Sequence, residues 1–420
     1  MTRKDLTHNT MEQKLSEKIR NFILSDIDLT KSQHFESSDL WKRLAKTGSE
    51  IWLDTGDIDE ASNLWCSEMS ALTTNNTLLN KEIQKGIYDD LIIEANKLLS
   101  DLEEKDRIIE IAFILNAKHG LKLVEKFGGK VSVELHTDMA NDIENTVSYA
   151  KRFYDICPEH FIIKIPLTPA GFIATRKVRE KGIPVNFTLN FSARQNLIAT
   201  IFSKPSYVNV FLGRQNAFVI DNNLGDGQLI GEKSTLASQR VISESSKNNP
   251  EPTKQIAASI RDASQITSLA GVDVFTIPTK VAKETEANHN TTFVSNRDKD
   301  YTIHLYDNID PTTVKIEKLW NYSEIEHNFA HQLDKNPPET ADELVNRAHK
   351  AGLQDIFPAL SSEEWETIAE DGKVPVYERW KNQIAENKIS LDALLNASGL
   401  ASFATDQATL DNRIQSLIKQ

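Results

Sequence analysis

Phe161-Ile162-Ile163-Lys164-Ile165-Pro166 is the stretch on which the fold turns. Phenylalanine and three isoleucines closed by a proline read as a short strand covered on both faces, the pattern of a parallel sheet flanked by helices. One lysine interrupts it. Burial strips hydration from an ammonium group and disfavours its charged form, so a lysine so placed is a candidate amine nucleophile toward a carbonyl. The alternative is a lysine at a strand end that snorkels to solvent or pairs with a carboxylate. The neighbouring strands have to decide between them.

Working outward, the same pattern recurs at Ile51–Asp54, Ala71–Asn75, Val131–Leu135, Phe161–Ile165, Val185–Leu189, Tyr207–Leu212, Gln255–Ile260 and Val272–Ile277. Helical stretches lie between, among them Ile108–Phe127, Asp142–Ile156, Ala170–Lys181, Ala193–Phe202 and Gln265–Leu269. Eight strands alternating with helices imply an α/β fold with a parallel sheet, and eight is the number at which such a sheet closes into a (β/α)8 TIM barrel. An open doubly wound sheet is the alternative. It usually carries a glycine-rich turn after its first strand, which Asp54-Thr55-Gly56-Asp57 is not.

The expected division is a helical N-terminal extension over 1–49, the catalytic barrel over 50–286, and an acidic, mostly helical C-terminal extension over 287–420 packing on the barrel. Thr10-Met11-Glu12-Gln13 reads as a capping box opening the first helix, with Met11, Leu15, Ile19, Phe22 and Ile23 on its apolar face. In the tail, Pro337-Pro338 marks a break, and the stretch Phe403 to Leu417 is amphipathic. Asn216–Pro252, with Gly225-Asp226-Gly227, reads as a long polar surface excursion, because its glycines follow no strand and so form no phosphate cradle.

A chain of 420 residues with a net charge of -13 and no basic stripe argues against a nucleic-acid partner. It leaves room for an anionic substrate held by a few arginines. Cys66 and Cys157 lack metal-ligand spacing and a disulfide framework. Met1 to Lys14 is polar, and no apolar run reaches membrane-spanning length, so the expectation is a reducing cytoplasm and no membrane partner. His327-Asn328-Phe329-Ala330-His331 places two histidines one helical turn apart. Without the glutamate of a zincin helix, and outside the barrel, they read as a surface pair rather than a metal site.

The carboxyl ends of parallel barrel strands converge on one face, where chemistry is built. The polar residues at these ends are Asp54, Asn75, Glu134, Lys164, Asn186 and Thr188, with Arg214 just after the sixth strand and Ser259 and Arg261 at the seventh. Singly, each has a structural account: Asp54 could cap a helix, Glu134 could neutralise Lys164, and Asn186 and Thr188 could satisfy buried backbone. Together, one amine, two carboxylates, two amides and two arginines suit a phosphorylated carbonyl sugar. The amine forms a Schiff base, the carboxylates move protons, and the arginines hold phosphate by forked hydrogen bonds.

In order along the chain, Leu53-Asp54-Thr55-Gly56, Leu72-Thr73-Thr74-Asn75, Val131-Ser132-Val133-Glu134, Ile163-Lys164-Ile165-Pro166 and Gly182-Ile183-Pro184-Val185-Asn186-Phe187-Thr188-Leu189 resemble the successive signatures of the transaldolases. Phe211-Leu212-Gly213-Arg214, Ala258-Ser259-Ile260-Arg261 and Leu269-Ala270-Gly271-Val272-Asp273 continue the likeness over about residues 50 to 285, and Leu400–Ile414 is similar to that family's closing helix. The resemblance implies a (β/α)8 barrel and a cofactor-free, metal-free reaction. In it a dihydroxyacetone unit passes from sedoheptulose 7-phosphate or fructose 6-phosphate to glyceraldehyde 3-phosphate or erythrose 4-phosphate, within the non-oxidative pentose phosphate pathway.

By the same resemblance Lys164 matches the Schiff-base lysine and Asp54 the base that takes the C4 hydroxyl proton. Glu134 matches the carboxylate acting through a water that Thr188 helps place. Asn75 and Asn186 match residues on the dihydroxyacetone hydroxyls, and Arg214, Ser259 and Arg261 the phosphate site. Two departures stand out. Where the family commonly has Thr-Thr-Asn-Pro-Ser this chain has Thr73-Thr74-Asn75-Asn76-Thr77, and Asn209 replaces a substrate-contacting serine. Glu134 and Phe211 favour transfer, since the related fructose 6-phosphate aldolases typically carry glutamine and tyrosine there. Simple aldol cleavage and a non-catalytic sugar-phosphate-binding barrel are the alternatives, and a monomer or homodimer is the expected assembly.

Overall fold

The computed structural model describes residues 3–31 and 33–419, with side chains from Lys14 onward. Eight strands, β1 Glu50–Asp54, β2 Met69–Thr73, β3 Lys130–Glu134, β4 Phe161–Pro166, β5 Val185–Thr188, β6 Tyr207–Phe211, β7 Lys254–Ala258 and β8 Val274–Pro278, close in sequence order into a parallel barrel surrounded by helices. The fold class expected from the sequence is therefore the one observed.

Period-two alternation sorts each strand between two apolar clusters. Phe161, Ile163 and Ile165 of β4 join the cluster shared with the outer helices. Ile162 joins Trp52, Ala71, Tyr207, Ile256 and Val274 in a second cluster, inside the barrel, where the Trp52 and Tyr207 rings meet edge-on at 4.8 Å. This apolar plug fixes where polar groups can stand. Two residues further along each strand the side chain again points inward, so Lys164 rises over Ile162, Asp54 over Trp52, Asn209 over Tyr207, and Thr73 and Thr276 over Ala71 and Val274. The strand that looked uniformly buried is so because helices cover one face and the plug fills the other.

Two strands end two residues earlier than the sequence pattern suggests, and this moves site residues onto loops. β2 ends at Thr73 and β7 at Ala258, so Asn75, Ser259 and Arg261 lie just beyond the sheet. At two strand ends the chain turns through the left-handed region, at Leu189 (φ 65) after β5 and Ser259 (φ 62) after β7. A non-glycine residue there costs on the order of 1–2 kcal/mol and persists only where its surroundings hold it.

Two expectations are corrected. The first helix runs Arg3–Leu24, so Thr10 lies inside it rather than at its start. No glycine or proline stands between Arg3 and Thr10 to stop the helix extending toward the amino terminus. Secondly, the stretch Asn216–Pro252 is not a surface excursion. It holds the end of helix Leu212–Asp221 and the helix Ile230–Ser246, which packs on the barrel with Ser234, Thr235, Ser238 and Gln239 all buried. Its polarity misled because each group has an internal partner: Ser234 Oγ donates to the Leu319 carbonyl (2.9 Å), Ser238 pairs with Gln255, and Gln239 Nε2 donates to Asp273 (2.7 Å). Gly231 packs there against Leu212, where a Cβ would come within 2.3 Å of the Leu212 carbonyl oxygen.

Beyond the barrel, five further helices of nine or more residues follow Pro311: Glu324–Lys335, Ala341–Lys350, Ser362–Asp371, Tyr377–Ala385 and the closing helix Leu391–Ile418. Asn396 on the closing helix donates to the carbonyls of Leu167 (3.1 Å) and Leu189 (2.9 Å), just past β4 and β5, and so seats the helix across the carboxyl-end face. Among the described residues no helix is long and apolar enough to cross a membrane.

Candidate active site

A cavity of about 520 Å³ opens at the carboxyl ends of the strands. Its wall includes Asp54, Asn75, Lys164, Asn186, Asn209, Phe211, Arg214, Ser259 and Arg261, nine of the eleven residues singled out from the sequence. Glu134 and Thr188 are not on this wall. Both are buried behind it, Glu134 at the end of β3 directly beside Lys164 in the strand register, and Thr188 at the end of β5. Glu134 opens instead onto a second cavity of about 270 Å³ on the flank of the closing helix.

Lys164 Nζ lies 3.8 Å from Glu134 Oε1 and donates weakly to the Thr74 carbonyl at 3.4 Å. It therefore pairs with a carboxylate without being withdrawn from the cavity, so both readings of this lysine hold in part. The Glu134 carboxyl is pushed up by burial, against the pull of Lys164 and of the Asn76 N–H that it accepts at 3.0 Å. Asp54 faces the cavity from β1. Burial pushes its carboxyl up to about 6, although Lys164, Arg261 and Lys81 draw it down.

The amides are held by one another. Asn186 Nδ2 donates to Ser132 Oγ (3.1 Å) and its Oδ1 accepts from Asn209 Nδ2 (3.3 Å), which sets the orientation of both on the cavity floor. Asn75 caps the helix Asn76–Gln84, its Oδ1 accepting from the Leu78 N–H at 2.8 Å. Its amide nitrogen is what it has left to offer a ligand.

At the other end of the cavity two guanidinium groups gather. Arg214, in the first turn of helix Leu212–Asp221, is buried with Nη1 lacking any partner among the described residues, while Arg261 is exposed at the mouth. Burial, and then repulsion from Arg261, push Arg214 down to about 10. A buried guanidinium nitrogen left unpaired is costly, and an oxyanion held in the same place would remove the cost. Gly213 permits the approach: a Cβ there would lie 2.1 Å from the Ser259 carbonyl oxygen and 2.7 Å from Arg261 Cγ. Two arginines, a helix amino terminus and a serine make an anion cradle. Lys81, Lys280 and Lys373 stand exposed at the mouth, a local positive rim on an acidic chain that would steer anions inward.

Sequence reading missed several contributors. Phe403, on the closing helix, is buried between the two cavities, with Lys164 Nζ 5.6 Å and the Arg214 guanidinium carbon 6.0 Å from its ring centre. Thr73 and Thr276 meet at 2.8 Å between their hydroxyls on the cavity wall, and Ser132 orients Asn186. Inward alternation from Asp54 and Lys164 would have found these last residues. Nothing in the barrel pattern points to Phe403. Among the described residues no group of three or more His, Cys, Asp or Glu side chains could hold a metal ion, and His327 and His331 stack edge-on at 4.6 Å on a helix outside the barrel.

Comparison with known proteins adds an independent line. The family model described as Transaldolase/Fructose-6-phosphate aldolase matches residues 51–356. The chain is 30% identical over 253 residues to a protein of Xanthomonas euvesicatoria pv. vesicatoria named "Transaldolase", covering 57% of this chain and 76% of that one. It is 33% identical over 240 residues to a protein of Thermus thermophilus named "Probable transaldolase", covering 56% of this chain and 89% of that one.

Proposed function

The chain belongs to the transaldolase/fructose-6-phosphate aldolase family, and from that premise we propose that it is a transaldolase moving a dihydroxyacetone unit between sugar phosphates through a Schiff base on Lys164. The observation that carries the reading is a buried amine and a carboxyl raised to about 6 sharing one cavity with a buried guanidinium whose Nη1 has no partner among the described residues.

In this mechanism Lys164 passes a proton to Glu134, 3.8 Å away, and attacks C2 of the bound ketose phosphate. Glu134, through a water, returns that proton to the C2 oxygen and then carries a second from the carbinolamine nitrogen to the resulting hydroxyl, which leaves as water, so that a protonated imine forms. Asp54 takes the C4 hydroxyl proton. The C3–C4 bond breaks, its electrons flow to the imine nitrogen, and an aldose phosphate departs while an enamine of dihydroxyacetone stays on Lys164. A second aldose phosphate then enters and the steps reverse.

Transfer requires that the enamine escape protonation and hydrolysis until the acceptor arrives. Phe211 supports this. Its ring packs at 5.7 Å against Phe191 and offers no hydroxyl proton, and Phe403 forms a second apolar wall beside Lys164. A coupled assay with fructose 6-phosphate and erythrose 4-phosphate tests the reading. Sedoheptulose 7-phosphate should form together with glyceraldehyde 3-phosphate, and a protein that binds both sugars without turnover would contradict it.

Two further outcomes follow from the site. Asp54 must be ionised to accept a proton, and a pKa raised to about 6 means that its ionised fraction falls as pH drops through that value. Aldehyde release from fructose 6-phosphate should therefore decline about tenfold per pH unit below 6. A rate flat down to pH about 4.5 would remove Asp54 from the role. Arg214→Ala or Arg261→Ala should raise KM for fructose 6-phosphate by roughly 10²-fold or more, yet leave the slow turnover of unphosphorylated fructose as donor nearly unchanged. Equal losses on both substrates would assign the arginines to packing.

A further inference from the structure

Asn76 takes no part in these steps, yet it is buried and makes two different kinds of contact at the end of β3. Its main-chain N–H donates to Glu134 Oε2 at 3.0 Å, the one hydrogen bond that this carboxylate receives among the described residues. Its side chain acts on the backbone instead. Nδ2 donates to the Leu135 carbonyl at 3.1 Å, while Asn116 Nδ2 donates to the Glu134 carbonyl at 2.8 Å and reaches Asn76 Oδ1 at 3.5 Å.

We propose that Asn76 is a positioning residue whose main-chain N–H fixes Glu134 Oε2, favours the charged form of that carboxyl and turns Oε1 toward Lys164. Asn76 is the first residue of helix Asn76–Gln84, so its N–H is one of the donors a helix leaves unsatisfied at its start. With Asn75 already capping the Leu78 N–H, Glu134 Oε2 satisfies a second such donor and lies at the positive end of the helix. One carboxylate oxygen is thereby fixed, and the other is left 3.8 Å from the amine whose protons it moves.

The charged groups facing Glu134 come from three other elements. Lys164 on β4 favours its charge, whereas Asp54 on β1 and Asp406 on the closing helix oppose it, as burial does. His136, two residues on, is turned to Asp411, with Nε2 at 3.2 Å, and does not serve the carboxylate. The Asn76 N–H and Lys164 are thus what opposes burial, and only the N–H stays once the charge on the Lys164 nitrogen is spent in the enamine. The kinetic consequence rests on the reaction proposed above; the effect on Glu134 does not.

The resembled family commonly has proline at this position, and a proline has no N–H to give. Proline is also well tolerated at the first position of a helix, so substitution there separates the donor from the side chain. In Asn76→Pro the Glu134 carboxyl, followed by ¹³C NMR and assigned through Glu134→Gln, should titrate on the order of one pH unit higher than in the wild type. In Asn76→Ala, which keeps the N–H and loses only the side-chain contacts, it should hardly move. The acid limb of imine formation should shift with the first variant and not with the second.

A measurement on the unmodified backbone stands beside these: the Asn76 amide proton in the wild type should titrate with the Glu134 midpoint and become pH-independent in Glu134→Gln. Equal shifts in the two Asn76 variants, or an Asn76 amide that ignores Glu134, would overturn the inference. Should the titrations behave as stated while no imine forms, it is the proposed reaction that fails, and Asn76 keeps its part in setting the state of a buried carboxylate.

Discussion

Lys164→Met is expected to lower transfer by roughly 10⁴- to 10⁶-fold while fructose 6-phosphate still binds, because the other lysines on the cavity wall are all exposed at its mouth. Methionine keeps the length and apolar stem of lysine, which matters beneath Phe403 and above Ile162. Borohydride added with fructose 6-phosphate should fix a three-carbon unit to the wild-type protein, on the peptide carrying Lys164, and none to the variant. Substitution also removes the charge facing Glu134, so the variant's Glu134 should be protonated more readily. Phosphate binding at Arg214 and Arg261 supplies the control. A variant that binds inorganic phosphate as the wild type does, yet traps no carbon, has lost its nucleophile rather than its fold. Continued trapping in Lys164→Met would remove Lys164 from the chemistry.

The second large effect is on stability. Arg194, in the helix Ala193–Ile198 after β5, is buried among three carboxylates: Nε and Nη2 donate to Asp392 at 2.9 and 2.8 Å, Nη2 to Asp355 at 3.0 Å, and Nη1 to Glu326 at 3.5 Å. Lys318 adds a second cation on Asp355 at 2.6 Å, and Ser192 Oγ donates to Asp392 at 2.6 Å. Burial alone would drive Arg194 down and Asp392 up; their mutual attraction overrides it in both directions.

This cluster joins the barrel to two segments of the tail and to the first turn of the closing helix. Arg194→Met leaves buried carboxylates uncompensated and should cost about 3–5 kcal/mol in chemical denaturation, with loss of activity as the helix bearing Phe403 loosens. Pairing it with Asp392→Leu should recover part of the loss, since an apolar replacement of a whole buried pair is often nearly neutral. The sign with pH follows from Asp392. Its folded pKa lies below the ordinary value of 3.8, so its contribution is present above that value and fades as pH falls through the depressed one. An unchanged denaturation midpoint in Arg194→Met would mean that the network does not hold the tail in place.

How much of this was legible in the sequence depends on the kind of signal. The barrel was, because each strand is a short β-branched run between helical stretches, and Lys164 was, because a charge inside such a run has few places to go. The nine residues that meet on the cavity wall were found because strand ends converge whatever the helices between them look like. Three things were not legible. The helix Ile230–Ser246 hid behind buried serines and glutamines whose partners come from distant segments. Glu134 and Thr188 sit behind the wall rather than on it, a depth that strand register alone does not give. Phe403 reaches the site from a helix far along the chain, and an amphipathic pattern says that a face is buried without saying against what.

The most direct test separates the two half-reactions. Protein loaded with fructose 6-phosphate and freed of small molecules should carry one three-carbon unit per chain, trappable by borohydride on Lys164. Adding labelled erythrose 4-phosphate to such loaded protein should discharge that unit into a labelled seven-carbon sugar phosphate. Release of free dihydroxyacetone with the erythrose 4-phosphate left unchanged, or a loaded protein that carries no trappable carbon, would contradict the account.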